Sequence, residues 1–171
     1  MAFLVPEQLE SDRLLLRQFR ETDWRDMHAY YSDEEATRYT FGKALSEGET
    51  WRTLCTMIGH WHVRGYGPYA LESKSSGEVL GTVGFWYPLD WPEVEIKWGL
   101  ARAHWGQGYA KEAARVVHTA GREFLPEIPL ISVIDDANTA SIGVALALGA
   151  EPEGTWEYKG KPNTIYRHRA E

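Results

Sequence analysis

A mixed α/β (α+β) domain is what the sequence predicts, on three observations. Short runs rich in β-branched and aromatic residues interleave with longer stretches whose apolar residues recur at helical spacing. Three of the short runs, 69–73, 79–87 and 94–100, are separated only by turn signals and can pair antiparallel as a meander. The last of them feeds a glycine turn that opens a helix.

Taken in order, the first strand spans 13–19, with Leu14 and Leu16 on one face and Leu15 on the other. A polar break at 20–23 leads into a short helix through Trp24, Met27, His28 and Tyr31, with Thr22 as its N-cap. Ser32 with Glu35 has capping-box spacing, and Ser46 with Glu49 repeats it before a longer helix ending near Arg64. Gly65 and Gly67-Pro68 stop that helix, and turns at 74–77 and 88–92 separate the meander strands. The glycine-opened helix carries Ala110, Ala113, Ala114, Val117, Gly121 and Phe124 on one face. Pro126 and Pro129 then bracket a break before 130–134, a short apolar run suited to a buried strand. A helix over 139–148 closes at Gly149, and 153–159 with 164–169 make a last hairpin around 160–163. No repeat, linker or low-complexity segment marks a boundary, so residues 1–171 read as one domain.

Composition narrows the function classes. A 43% hydrophobic content with eight Trp, nine Tyr and five Phe supplies a sizeable core. The formal charge of −7 argues against a nucleic-acid or anionic-membrane binder, whose affinity comes from Lys and Arg on phosphates, and suits a cationic substrate. The N-terminal apolar run covers only 2–5, and no stretch approaches the ~18 residues that span a bilayer, which predicts a soluble cytoplasmic protein. Cys55, the single cysteine, forbids an internal disulfide, and His60 and His62 stand two apart on a helix and so face apart; no metal is expected.

The turn between 104 and 112, His-Trp-Gly-Gln-Gly-Tyr-Ala-Lys-Glu, is the strongest chemical signal. Gly106 and Gly108 remove two Cβ atoms where the backbone turns, so the first helical amides can approach a ligand and the dipole favours an anion. An ordinary turn has the same look. Lys111 stands where a dinucleotide fingerprint needs a third glycine, and neither Gly42-Lys43 nor Gly160-Lys161 is followed by the Ser or Thr of a nucleotide P-loop.

Five segments in register then resemble a known family: Arg13-Leu-Leu-Leu-Arg17, Gly65-Tyr-Gly67, the run from Gly77 to Gly84, Glu95 to Leu100 leading into Trp105-Gly-Gln-Gly-Tyr-Ala-Lys-Glu-Ala113, and Asn138-Thr-Ala-Ser-Ile142 before Leu148-Gly149. Together, over nearly the whole chain, they resemble the RimJ/RimL-like branch of the GNAT N-acetyltransferases. The resemblance implies the acyl-CoA N-acyltransferase fold, a mixed, mostly antiparallel twisted sheet of about seven strands flanked by helices. It also implies a V-shaped split between the fourth and fifth strands, here 94–100 and 130–134, where acetyl-CoA inserts its pantetheine arm beside Leu100, Ala101 and Arg102.

On the family pattern, Trp105, Gly106, Gln107, Gly108, Tyr109 and Ala110 form the pyrophosphate cradle. Trp105 stands where many members carry Arg or Gln. Glu95 matches the base that deprotonates the amine, Ser141 the acid that reprotonates the thiolate, and Asn138 the group on the pantetheine; read as residues alone, Glu95 is a solvated strand charge, Asn138 an N-cap and Ser141 a first-turn residue. Lys97, Gly143 and Ala150 depart from the branch, which has Gly, a basic residue and an aromatic there. Phe85, Trp86, Tyr87 and Trp91 cluster near Glu95 as core or as the wall of a pocket for a small-molecule or peptide amine. The expected activity is acetyl-CoA-dependent transfer to a primary amine, by a monomer or homodimer; the alternative is a non-catalytic acyl-CoA-binding domain of the same fold.

Overall fold

The computed structural model describes residues 2–169. Its eight-stranded sheet has the order β1-β2-β3-β4-β5-β6-β8-β7. The strands are β1 (Gln8–Glu10), β2 (Leu14–Arg17), β3 (Pro68–Ser73), β4 (Val79–Trp86), β5 (Val94–Leu100), β6 (Leu130–Ile134), β7 (Glu151–Tyr158) and β8 (Lys161–His168). The helices are α1 (Trp24–Tyr31), α2 (Glu34–Thr37), α3 (Glu47–Arg64), α4 (Tyr109–Phe124) and α5 (Thr139–Ala147). The predicted meander is β3-β4-β5, and all neighbours pair antiparallel except β5 with β6.

Period-two alternation sorts the sheet's residues onto two faces. Tyr69, Leu71, Val83, Phe85 and Ile96 pack with Ala113, Ala114 and Val117 of α4. Ala70, and Val79 beyond the register step at residue 80 that shifts the alternation of β4, pack instead with Met27, Tyr30 and Tyr31 of α1 and Leu54 and Met57 of α3. A third cluster, Ile134, Ala145, Ala150 and Tyr166, seats α5 against β6 and β8. The α1 end is fixed electrostatically as well: buried Arg17 donates to Asp23 at 2.8 and 3.0 Å and to Glu72 at 2.6 Å. Removing one partner of such a buried pair costs about 3–5 kcal/mol.

The differences from the sequence reading are local. The extra strand is β1, three residues of mixed polarity on the sheet edge. Thr22 does not cap α1: residues 21–23 form a 3₁₀ turn, and it is the Asp23 carboxylate that accepts the Arg20 amide, at 2.7 Å. Ser32 ends α1, its hydroxyl donating to His28 O, and the cap of α2 is Asp33, which accepts from the Glu35 amide at 3.0 Å. The Ser46/Glu49 capping box and the left-handed Gly65 stop of α3 are both present. The last hairpin turns more tightly than expected, on Lys159 (φ 51°) and Gly160 (φ 73°), because two positive-φ residues match strand twist. Pro162 therefore lies within β8, at a position level with Glu157 and short of the β6 pairing, where no ladder donor is required of it on that side.

Candidate functional site

Two geometrical facts define the site. The first is a gap in the sheet: among the described residues β5 and β6 pair only at Val94↔Leu130 and Glu95↔Ile131, and then diverge. Side chains bridge the apex where the ladder stops. The Ser132 hydroxyl donates to Ile96 O at 2.7 Å, and the Val133 amide donates to the Glu95 carboxylate at 3.1 Å. The second is the turn before α4, where Gly106 (φ 72°) and Gly108 (φ 80°) are both left-handed. The Glu112 amide donates to Gly108 O at 3.0 Å, the first bond of the helix, so the preceding amides are its N-terminal donors.

The sequence does not announce what holds this turn. Arg13, at the entry to β2, donates to Glu112 at 2.7 Å and to Gln107 O at 3.0 Å, with its guanidinium 4.3 Å from the Tyr109 ring centre. It thus grips the turn from outside and neutralises the first-turn carboxylate, leaving a positive helix end facing the gap. The Gln107 carbonyl faces Arg13 and its side chain folds back to Ala103 O at 3.3 Å. The Trp105 indole donates to Leu100 O at 3.0 Å.

Two cavities meet at the gap. One, about 430 Å³, is lined by Leu100, Trp105, Gly106, Gly108, Tyr109 and Ala110. The other, about 310 Å³, lies on the α1/α3 side and is lined by Trp86, Trp91, Glu95, Lys97 and Tyr158 among others. Tyr30, Tyr39, Thr40, Trp98, Asn138 and Ser141 line both. Tyr39 donates to Ala137 O at 3.2 Å and Lys159 to Thr40 O at 2.7 Å, so the segment after α2 straps the junction to α5 and to the β7–β8 turn. At Gly99 a Cβ would fall 2.1 Å from the Tyr30 hydroxyl, so only glycine lets that ring reach the junction.

Glu95 is 8% exposed, which excludes the solvated-charge reading. Its carboxylate also accepts the Trp91 indole N–H at 2.8 Å. Burial pushes its pKa up to about 7, against the opposing pull of Val133, Lys97 and Trp91. Its neighbour Glu93 pairs with Arg167 at 2.6 Å instead. Asn138 caps α5, its Oδ1 accepting the Ser141 amide at 3.3 Å, and the Ser141 Oγ accepts the Trp98 indole N–H at 3.3 Å. With that acceptor role filled, the Ser141 hydroxyl hydrogen points elsewhere.

Several candidates lie off the cavities. Phe85 is fully buried on the α4 face, as alternation with Trp86 requires. The Tyr87 ring packs under Arg64, 4.5 Å from its guanidinium, and the Tyr87 amide donates to His60. The Ala101 amide bonds back to Leu80 O at 2.9 Å, and Arg102 pairs with Asp33 at 2.8 Å. Backbone groups alternate sides along a strand. Since Ala101 N–H faces β4 and Ile96 O faces the gap, the gap-side donors are the amides of Trp98 and Leu100. Trp91 also packs against Trp156 (4.9 Å) and Tyr158 (5.1 Å), distant in sequence and brought over it by the last hairpin. Among the described residues no group of three or more His, Cys, Asp or Glu could hold a metal ion, and no helix is long and apolar enough to cross a membrane.

Comparison with known proteins bears on what such a split can do. Residues 13–151 match the family model for the acetyltransferase (GNAT) domain. The chain is 29% identical over 150 residues to the uncharacterized N-acetyltransferase p20 of Bacillus licheniformis, covering 86% of this chain and 84% of p20. Among solved structures, an acetyltransferase from Agrobacterium tumefaciens str. C58 superposes with a TM-score of 0.85 at 26% identity, over 99% of this chain and 98% of that one. RimL, a ribosomal L7/L12 alpha-N-protein acetyltransferase solved in complex with coenzyme A, shares the fold at a TM-score of 0.73 and 20% identity, over 96% and 95%.

Proposed function

Because the chain belongs to the GNAT acetyltransferase family, we propose that it transfers an acetyl group from acetyl-CoA to a primary amine by direct attack within a ternary complex. The observation that carries this reading is the gap after Glu95, which opens between a cavity under the left-handed glycine turn and a second cavity containing a buried carboxylate. Acetyl-CoA supplies the activated acyl group as a thioester. The amides of Gly106 to Ala110 would hold its pyrophosphate at the positive end of α4, and the Trp98 and Leu100 amides its pantetheine arm as an added strand.

On the other side of the gap, Glu95 accepts the proton that the amine must lose. A free lysine amine has a pKa near 10.4 and an α-amine near 7.7–8.0, so at neutral pH most acceptor arrives protonated. A carboxylate raised to about 7 is matched to that task. Ser141, already accepting from Trp98, has its hydroxyl hydrogen free to return to the leaving thiolate. Asn138 fixes the helix start that carries Ser141.

The direct test is thiol release from acetyl-CoA across a panel of primary amines and N-terminal peptides. Release that depends on the amine is expected; binding of CoA with no release for any amine would make the domain a non-catalytic acyl-CoA binder. Hydrogen exchange locates the CoA side. Protection on adding CoA should rise at Trp98, Leu100 and the first turn of α4, whereas protection confined to α1–α3 would move the site.

A further inference from the structure

Lys97 is the one lysine or arginine lining the 310 Å³ cavity, with Glu95 and Asp135 the carboxylates there. It stands two residues from Glu95 on β5, hence on the same sheet face and about 7 Å along it. Among the described residues its ammonium makes no hydrogen bond or ion pair. It lies 4.5 Å from the centre of the Trp86 ring and interacts with the Glu95 carboxylate only through space. Partial burial pulls its pKa down, and an ammonium so placed with no ion-pair partner favours a ligand that supplies the counter-charge.

The platform beneath Lys97 adds no competing cation. Trp86 stacks on His60 at 4.9 Å. One His60 nitrogen meets Tyr66 O at 2.8 Å and the other accepts the Tyr87 amide at 2.9 Å, which fixes a neutral ring. The rest of the cavity floor offers Thr53, Thr56 and Thr82 hydroxyls and the Met57 thioether, all uncharged. A pocket of this size, largely apolar in its walls, with a carboxylate at one point and an ammonium without an ion-pair partner a short way along the same strand, complements a molecule that carries charges of both signs.

Resting on the acetyl-transfer reading above, we propose that Lys97 selects the acceptor: it binds the carboxylate of the same small molecule whose amine faces Glu95. The acceptor is then amino-acid-like. A peptide N-terminus has an amide where such a molecule has its carboxylate, leaves Lys97 without a counter-ion, and needs room for the chain that follows.

The experiment compares free α-amino acids with their carboxamides in the wild type, Lys97→Met and Lys97→Arg, by thiol release and by calorimetric binding of the amino acid alone. With kcat/KM expressed per unprotonated amine, because a carboxamide's α-amine is less basic than that of the free acid, the wild type should favour the free acid at least tenfold. Lys97→Met should bring that ratio near one, through KM for the free acid, and weaken its binding at least tenfold; Lys97→Arg should restore the preference. Equal or better use of carboxamides or N-terminal peptides by the wild type would overturn the role of Lys97 while leaving acetyl transfer intact. An acetyl group appearing on Lys97 itself by mass spectrometry would also overturn it, since the amine would then be an acceptor and not an anchor. Thiol release with no amine of any series would bring down the acetyl-transfer reading, and this inference with it.

Discussion

Glu95→Gln should lower turnover by roughly 10²- to 10⁴-fold at pH 7 while CoA affinity stays near wild type, the range expected for loss of a positioned base. The side chain lines the cavity on the α1/α3 side of the gap, away from the glycine turn, so the two readouts separate. In the wild type, activity should rise as the pH passes about 7, because only the deprotonated carboxylate accepts a proton. The deficit of the variant should shrink as the pH approaches the amine's own pKa, where the acceptor arrives neutral. A defect of constant size across pH would instead mark a structural role. That alternative has substance here, because Val133 and Trp91 donate to the two oxygens and a Gln amide can accept from only one while its NH₂ faces the other donor. Wild-type turnover in the variant at pH 7 would remove Glu95 from the mechanism.

Gly108→Val should weaken CoA binding at least tenfold, about 1.4 kcal/mol, in a protein that still folds. Space is not the obstacle: a Cβ at this position meets only the Arg13 Nη2, at 3.5 Å, an ordinary contact. Conformation is the obstacle, since φ is 80° and a β-branched residue there is strained by about 1–2 kcal/mol. The chain either bears that strain or rotates the peptide out of the left-handed region, turning the free amides of the α4 N-terminus away from the ligand. Calorimetry with CoA decides it, alongside a melting curve; unchanged affinity in a folded variant would end the cradle assignment.

How far the sequence reaches is visible in particular elements. The order of strands and helices, the capping box at Ser46 and the glycine turn were legible because each is written in local residues. β1 was not, because three residues of mixed polarity on an edge carry no period. The cap of α2 shifted from Ser32 to Asp33, and Asp23 rather than Thr22 closes the turn before α1 by accepting the Arg20 amide, because several residues of capping chemistry stood side by side and tertiary contacts such as Arg17–Asp23 chose among them. Within the site, Phe85 and Trp86 were inseparable as a cluster until strand alternation sent one to each face. Arg13 and Tyr30 come from parts of the chain far from the glycine turn, and Tyr158 from far beyond Glu95; only the folded sheet brings the first two to the turn and the third to the cavity that holds the carboxylate.

The two-pair seam between β5 and β6 also bears on how the chain assembles. On one side of it lie β1 to β5, neighbours in the sheet in the order they occur in the chain; on the other, β6, β8 and β7 form a three-stranded unit within residues 130–168, closed by its own tight turn. Each unit sets its registers from its own ladders, and what joins them is a seam of two ladder pairs reinforced by side-chain bonds such as Ser132 to Ile96 O and Val133 N–H to Glu95, with α4 placed between them in sequence. During synthesis the first unit can be complete before the second leaves the ribosome. The cleft needs no later event to open it: it is the joint between two strand sets whose registers are each fixed by their own ladders.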